Sequence, residues 1–342
     1  MWTDGWLGRV LGFGRVPGPS LIFSLDEFEE DPVRLRCARF SRGGGRRGTR
    51  AASDLTLEFL DQVTVPDTLL ARGPLGSMVR EPAAFAGLVR SLLRSAGPKP
   101  PREATLLLPE SWLRLVMVES GPLPKAAAAR DEVLRFRLRR LVPYRVEDLR
   151  LSAVEAAVLP GQQEPRRLAI GFAGETVLSS FESAFGEAGL HLGMISVPSL
   201  ALFAGVRGVH RIPGVEIGVV ARRDDYALWV RRDDELVLHR QRSFPGDLPR
   251  DARENLARRE LSLVKGMFEA ELAGETLGRI LLHARDESAV DWSSWLGETF
   301  GRAPQLLSRE HLPLAAGAAA AALAQGAQDV YPLAGAACLE VA

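Results

Sequence analysis

One order of elements occurs twice along this chain, and that duplication restricts its architecture more than any single motif does. In the first copy, residues 21–25 and 33–40 read as strands, joined by the acidic turn Asp26-Glu27-Phe28-Glu29-Glu30-Asp31-Pro32. Residues 55–60 alternate apolar and polar side chains, the period of a half-buried strand. Phe85, Leu88, Val89, Leu92 and Leu93 recur at the spacing of one apolar helix face. Gly97-Pro98 stops that helix, because glycine takes the left-handed exit and the residue before a proline leaves the helical region. Residues 105–108 then read as a buried strand. The second copy has strands at residues 215–221, 226–230 and 235–240, a long helix at 251–272, and a strand at 280–283. Leu256, Leu263, Val264, Met267 and Leu272 supply that helix with a core face. The residues themselves do not repeat; only the order strand-strand-strand-helix-strand does. Two α/β lobes of one plan are expected.

A different unit separates the copies. Residues 115–119 read as a strand, 126–141 as a helix with Leu134, Leu138 and Leu141 on one face, and 149–158 and 168–172 as strands flanking the turn at Pro160-Gly161. Residues 177–185 read as a helix ended by Gly189, followed by a strand at 192–197. After the second copy, 292–300 and 312–325 read as helices, and small residues dominate 333–341. The expected organisation is a tail at 1–19, a first lobe at 20–111, an inserted subdomain with the return to the first lobe at 112–200, a second lobe at 201–310, and a C-terminal helix and strand at 311–342.

Composition narrows the function classes. Hydrophobic residues make up 46% and charged residues 25% of 342, the mix of a folded domain. Lys+Arg and Asp+Glu are both 43, which argues against bulk nucleic-acid binding. Only Lys99, Lys125 and Lys265 are lysines, so the cations are almost all arginines, read as solvated surface. Arg34, Arg36, Arg39, Arg42, Arg46, Arg47 and Arg50 have no acid among them and read as a solvated hairpin tip facing the acidic turn. Cys37 and Cys338 stand far apart, and His191, His210, His239, His283 and His311 lack metal-ligand spacing. No apolar run is long enough to span a bilayer, and the N-terminus has no signal-peptide core. Trp2 and Trp6 with Arg9 and Arg15 have interfacial chemistry, but Gly5, Gly8, Gly12 and Gly14 weaken a helix there. Gly-x-Ser-x-Gly, HExxH, Walker A and EF-hand patterns are all absent.

The stretch from Arg135 to Leu151 resembles the PilM family of type IV pilus assembly proteins, in which a helix meets a hydrophobic-Pro-aromatic turn, an acidic pair and a strand. Here the turn is Val142-Pro143-Tyr144 and the pair Glu147-Asp148. Residues 168–201, with Glu187-Ala188-Gly189-Leu190, are similar to the family's next unit, a strand, a helix, then a strand into another helix. Residues 235–240 resemble its second-lobe hairpin. The resemblance, over roughly residues 20–342, implies an actin-like α/β fold: duplicated lobes with a small inserted α/β subdomain.

That family normally holds ATP between the lobes on two glycine- and hydroxyl-rich turns, with a further glycine turn near the adenosine. This sequence departs at all three places. The first turn carries Ser24 and Asp26 within a run of five carboxylates, which would repel a triphosphate. The second is Ala221-Arg222-Arg223-Asp224-Asp225, and the third Leu282-His283-Ala284-Arg285-Asp286, neither with glycine. No cofactor is expected, and Mg-ATP should bind weakly or not at all. The resemblance implies a non-catalytic cytoplasmic scaffold, peripheral to the inner membrane, in a type IV pilus or related secretion platform. It would hold the cytoplasmic peptide of a bitopic PilN-type partner in a groove beside the insert, where Phe136, Val142 and Tyr144 are candidate contacts. Two alternatives stay open: an ATPase or sugar kinase on the same fold, and the cytoplasmic part of a type II secretion L subunit. The chain's stop at Ala342, without a membrane span, favours the PilM arrangement over an L subunit. Oligomerisation is left open, and no nucleic-acid partner is expected. Reversing the charges of Asp26, Glu27 and Glu29 is expected to leave membrane recruitment intact.

Overall fold

The computed structural model describes residues 16–17, 19–26, 32–42, 55–97, 100–119, 123–160, 167–207, 209, 212–245, 248–315 and 327–341. The chain opens with β1 (Val16–Pro17), β2 (Leu21–Asp26), β3 (Arg34–Arg42) and β4 (Leu55–Thr64). A small hairpin, β5 (Leu70–Ala71) and β6 (Met78–Val79), leads to α1 (Pro82–Ser95) and β7 (Glu103–Leu107). Then come β8 (Leu113–Glu119), α2 (Ala127–Leu138), β9 (Leu149–Glu155) and β10 (Arg167–Gly174). The first lobe resumes with α3 (Glu175–Glu187), β11 (His191–Ser196) and α4 (Pro198–Arg207). The second lobe has β12 (Val215–Ala221), β13 (Asp225–Arg232), β14 (Glu235–Ser243), α5 (Arg250–Glu271), β15 (Leu277–His283), α6 (Asp286–Phe300) and β16 (Gln305–Leu306). The last elements are α7 (Ala327–Ala336) and β17 (Glu340–Val341), which pairs with β1.

The duplication extends to strand order. The first sheet runs β4-β3-β2-β7-β11 and the second β14-β13-β12-β15-β16. In both, three antiparallel strands are followed by two parallel to the first of them. Each lobe thus has a fifth strand beyond the four that the repeated order shows. Lobe one alone carries an insert: β8, β10 and β9 form a separate antiparallel sheet, covered by Leu134 and Leu138 of α2.

Period two sorts the second sheet's side chains. Ile217, Val219, Leu228 and Val230 face Leu261 and Val264 of α5 and Trp292 and Leu296 of α6. Val220, Trp229 and Leu281 on the other face join the first-lobe core. Gly218 makes this face flat enough for Trp229, because an added Cβ would lie 2.0 Å from the indole. Phe203 of α4 then meets Trp229 edge-on at 5.4 Å. Gly97 (φ +109°) and Gly189 (φ +81°) close α1 and α3 in the backbone region that glycine tolerates.

Several expectations need correction. The helix read at 126–141 ends at Leu138, where the chain turns before Pro143. The strand read at 149–158 ends at Glu155; the next residues leave the sheet, and Ala157 and Leu159 pack into the second-lobe core. Residues 312–315 are not helical, since Leu314 bridges to Leu55; residues 316–325 of that expected helix lie outside the described residues. So do the tail at 1–15, residues 27–31 of the acidic turn, and 43–50 of the arginine run. Three of the four described arginines of that run are tied into the fold rather than solvated. Arg36 is buried on Asp26 and Asp329, Arg39 pairs with Glu58 at 3.1 Å, and Arg42 donates to the Ala337 carbonyl at 2.6 Å. Arg231 and Arg279 are also buried, both on Glu216.

Candidate functional site

The two lobes meet where α4 crosses α7, and the crossing depends on two glycines. A Cβ on Gly335 would lie 2.3 Å from the Ala201 carbonyl oxygen, and one on Gly205 would lie 2.9 Å from the Gly335 Cα. Beside that contact, polar residues drawn from both lobes meet near the ends of β2, β7, β12 and β15.

The first group is buried. Glu110 follows β7, Ser199 lies in the first turn of α4, and His239 is on β14. Ser199 donates its backbone N–H to Glu110 at 3.1 Å and its hydroxyl to the other carboxylate oxygen. His239 Nε2 lies 3.1 Å from the same hydroxyl oxygen. While Glu110 is ionised and takes the hydroxyl's one proton, the contact requires His239 to donate through Nε2–H; a protonated Glu110 reverses both roles. Burial pushes the Glu110 carboxyl up to about 7, against the hydrogen bonds from Ser199. Burial also pushes His239 down to about 4. This is not the arrangement of a nucleophilic triad, in which the imidazole accepts the serine proton and the carboxylate orients the imidazole. Here both groups hold one hydroxyl, which ties the lobes together. Gln241 adds a second tie, donating to the Glu110 carbonyl at 2.6 Å.

The second group lies where nucleotide turns were expected. Ser24 and Asp26 are buried strand residues of β2 rather than turn residues. Asp26 is paired with Arg36, which also contacts Asp329 of α7 at 2.9 Å and Gln62 at 3.0 Å. Arg285, just before α6, pairs with the same Asp329. Asp26 from the first expected turn and Arg285 from the third are thus linked through Arg36 and Asp329. His283 ends β15 with its ring 6.3 Å from that of Tyr331. Burial and the charges of Arg222 and Arg285 push His283 down to about 3. Asp225 is pushed up, chiefly by burial.

The second turn is closed by Arg222 N–H donating to the Asp225 carbonyl at 2.8 Å, while the Asp224 carbonyl accepts from Phe244. Arg223 offers its carbonyl to Arg253 at 3.4 Å. Among the described residues, Asp233 is the only non-glycine with positive φ, so neither this turn nor residues 283–285 has the left-handed residue that builds an anion-cradling nest. Of the arginines here, Arg285 is held by a carboxylate of the same chain, Asp329.

Sequence reasoning missed Glu110, Ser199, His239 and Asp329. The first three come together only through tertiary packing. Asp329 did leave a signal: it is the one charged residue between His311 and Glu340. Of the candidate partner contacts, Val142 and Tyr144 pack against the insert core, where Tyr144 lies 5.1 Å under the Arg114 guanidinium. Phe136 stands on the outer face of α2 and is 67% exposed.

No family model and no curated protein matches this sequence. Among solved structures, the chain is similar to one from a PilM-PilN type IV pilus biogenesis complex, at 18% identity and a TM-score of 0.62, covering 94% of this chain and 97% of that one. It is also similar to the cytoplasmic domain of EpsL, an inner-membrane component of the type II secretion system of Vibrio cholerae, at 13% identity, a TM-score of 0.42 and 87% of each chain. A third likeness is to a Bacteroides thetaiotaomicron protein with an actin-like ATPase fold and unknown function, at 10% identity, a TM-score of 0.46, and 85% and 91% of the two chains. With the duplicated sheet order, the first of these establishes that the chain has the PilM-like, actin-like fold. Among the described residues, no helix is long and apolar enough to cross a membrane.

Proposed function

We propose that this chain is a non-catalytic scaffold of a type IV pilus or related secretion platform at the inner membrane, and that it binds the cytoplasmic peptide of a bitopic PilN-type partner. The observation that carries this reading is the Asp26–Arg36–Asp329–Arg285 network, in which the protein's own ion pairs take up the residues at the first and third expected nucleotide turns. A nucleotide would have to displace Asp329 and find backbone cradles that neither described turn offers. A hydrolase reading would rest on Glu110, the carboxyl between the lobes that titrates near neutrality, but both its oxygens are engaged by Ser199. The likeness in fold to the chain of a PilM-PilN complex supports the choice of partner class.

Isothermal calorimetry with Mg-ATP tests the non-catalytic half, with no saturable heat expected. A micromolar dissociation constant overturns it and makes Arg222 and Arg223 the first residues to substitute. The charge-reversal expectation made from the sequence changes here. Reversing Asp26 would set a cation against the buried Arg36, so Asp26 is not a neutral control for recruitment.

A further inference from the structure

The outer face of α2 and the exposed side chains of the turn after it, unlike Val142 and Tyr144, have no role in the core or between the lobes. Residues 131–148 hold five arginines and four acids, and Arg135 is tied to Asp131 at 2.8 Å, which leaves the turn-side Arg137, Arg139, Arg140 and Arg145 facing Glu147 and Asp148. Leu134 and Leu138 point into the insert, which turns Phe136 outward. Phe136 at 67% and Leu141 at 55% are two of the five most exposed large hydrophobics among the described residues, and they lie five positions apart. Arg139 and Arg145 are offset by Glu147 and Asp148, at 3.1 and 3.9 Å. Arg137 contacts only the Glu119 carbonyl at 2.7 Å, and Arg140 has no ion-pair partner among the described residues. The tip therefore presents two projecting apolar side chains within a net positive rim.

We propose that this tip docks on an anionic lipid surface, with Phe136 and Leu141 at the headgroup boundary and Arg137, Arg139 and Arg140 on lipid phosphates. A projecting aromatic on the outside of a helix suits a deformable surface, and arginine stems can lie along it while their guanidiniums take phosphate. A second copy of the chain is a poor occupant, because a two-fold contact would set the same arginines against each other. The inference goes beyond the scaffold reading and does not need it, since lipid alone is the ligand.

The test is co-sedimentation of the full chain with vesicles rich in phosphatidylglycerol and with pure phosphatidylcholine vesicles. The protein is expected to pellet with the first and not the second. Each arginine near an anionic surface contributes roughly a factor of five, so Arg139→Glu with Arg140→Glu should weaken binding by at least about tenfold. Phe136→Ser should weaken binding without changing its salt dependence. These side chains are exposed, so unchanged melting curves show that the variants fold; Arg140→Glu alone serves if the double variant does not. Failure to pellet with the anionic vesicles overturns the proposal, as does a charge-reversed variant that pellets like the parent. Loss of a partner peptide's binding in these variants, with no pelleting of the parent, also overturns it and assigns the tip to a protein.

Discussion

Glu110 and His239 reach the hydroxyl of Ser199 from opposite lobes, and burial moves their protonation in opposite directions. Folded Glu110 titrates near 7 against an ordinary 4.5, so the folded state binds more protons in that window, and its contribution to stability falls as pH rises through it. Folded His239 titrates near 4 against 6.5, so its contribution rises with pH between those values. Asp225, pushed up, acts in the sense of Glu110, and His283, pushed down, in the sense of His239. The opposed slopes largely cancel between about 4.5 and 6.5. Glu110→Gln removes one side of that balance. Relative to the parent it should gain about 2 kcal/mol between pH 5 and pH 7, read from urea-unfolding midpoints at the two values. An unchanged difference between parent and variant would show that Glu110 is ionised in the folded state at pH 5. Asp329 tests the other group. Asp329→Ala leaves buried Arg36 with one carboxylate and should cost about 1–3 kcal/mol, the lower part of that range being expected because a quarter of the Asp329 side chain is exposed. Asp329→Asn should recover part of the loss in the same unfolding assay.

At the scale of elements, the α4–α7 crossing sets how closely the lobes approach. Gly335→Ala places a methyl within 2.3 Å of the Ala201 carbonyl, which only movement of the backbone relieves, at a cost of about 1–3 kcal/mol or more. Gly297→Ala, in α6 with nothing within 4 Å of the added atom, should instead stabilise by about 0.5–1 kcal/mol. Melting temperatures moving in opposite directions would separate packing from helix propensity; equal shifts would place the crossing elsewhere. The crossing helices were also the elements least legible in the sequence. Every residue from Pro198 to Val206 in α4 is buried, so the apolar run has no polar face to mark its period. α7 carries Pro332 within an alanine-rich stretch. Elements with one wet face were legible, as with α1, and β12 was read to the residue because Pro213-Gly214 and the polar turn at 222–225 bound a run that is apolar apart from Glu216. The candidate site was half legible. Asp26 and Arg285 sit where the family resemblance put its turns, but Glu110, Ser199 and His239 come from β7, α4 and β14, and no spacing along the chain relates them.

At the scale of the whole molecule, the insert is both a separable sheet and a bridge. Leu113 at its entry pairs directly with Ala173 at its exit, so its two ends lie one strand spacing apart, about 5 Å. A short linker from Trp112 to Gly174 could therefore replace it. Removing all of 112–200 would be a different operation, because α3, β11 and the start of α4 belong to the first lobe's own sheet and core. Contacts with both lobes set the cost of the shorter deletion, because Leu113, Leu115, Ala169 and Ala173 leave the first-lobe core. Ala157 and Leu159 leave the second-lobe core, the Arg167–Glu271 pair is lost, and so is the 3.0 Å hydrogen bond from Ala157 to Leu236. Burying one leucine is worth about 1.5–3 kcal/mol, so the linker variant should fold with a clearly lowered melting temperature but retain both five-stranded sheets. If the partner peptide is held beside the insert, the folded variant should bind that peptide at least tenfold more weakly, measured by fluorescence anisotropy in free solution without lipid. Glu271→Ala supplies the control. It breaks one bridge contact and leaves the insert in place, so it should melt earlier and bind the peptide normally. Full affinity in the linker variant would remove the insert from the binding site. Equal loss in both variants would instead show that the partner reads the joint between insert and second lobe.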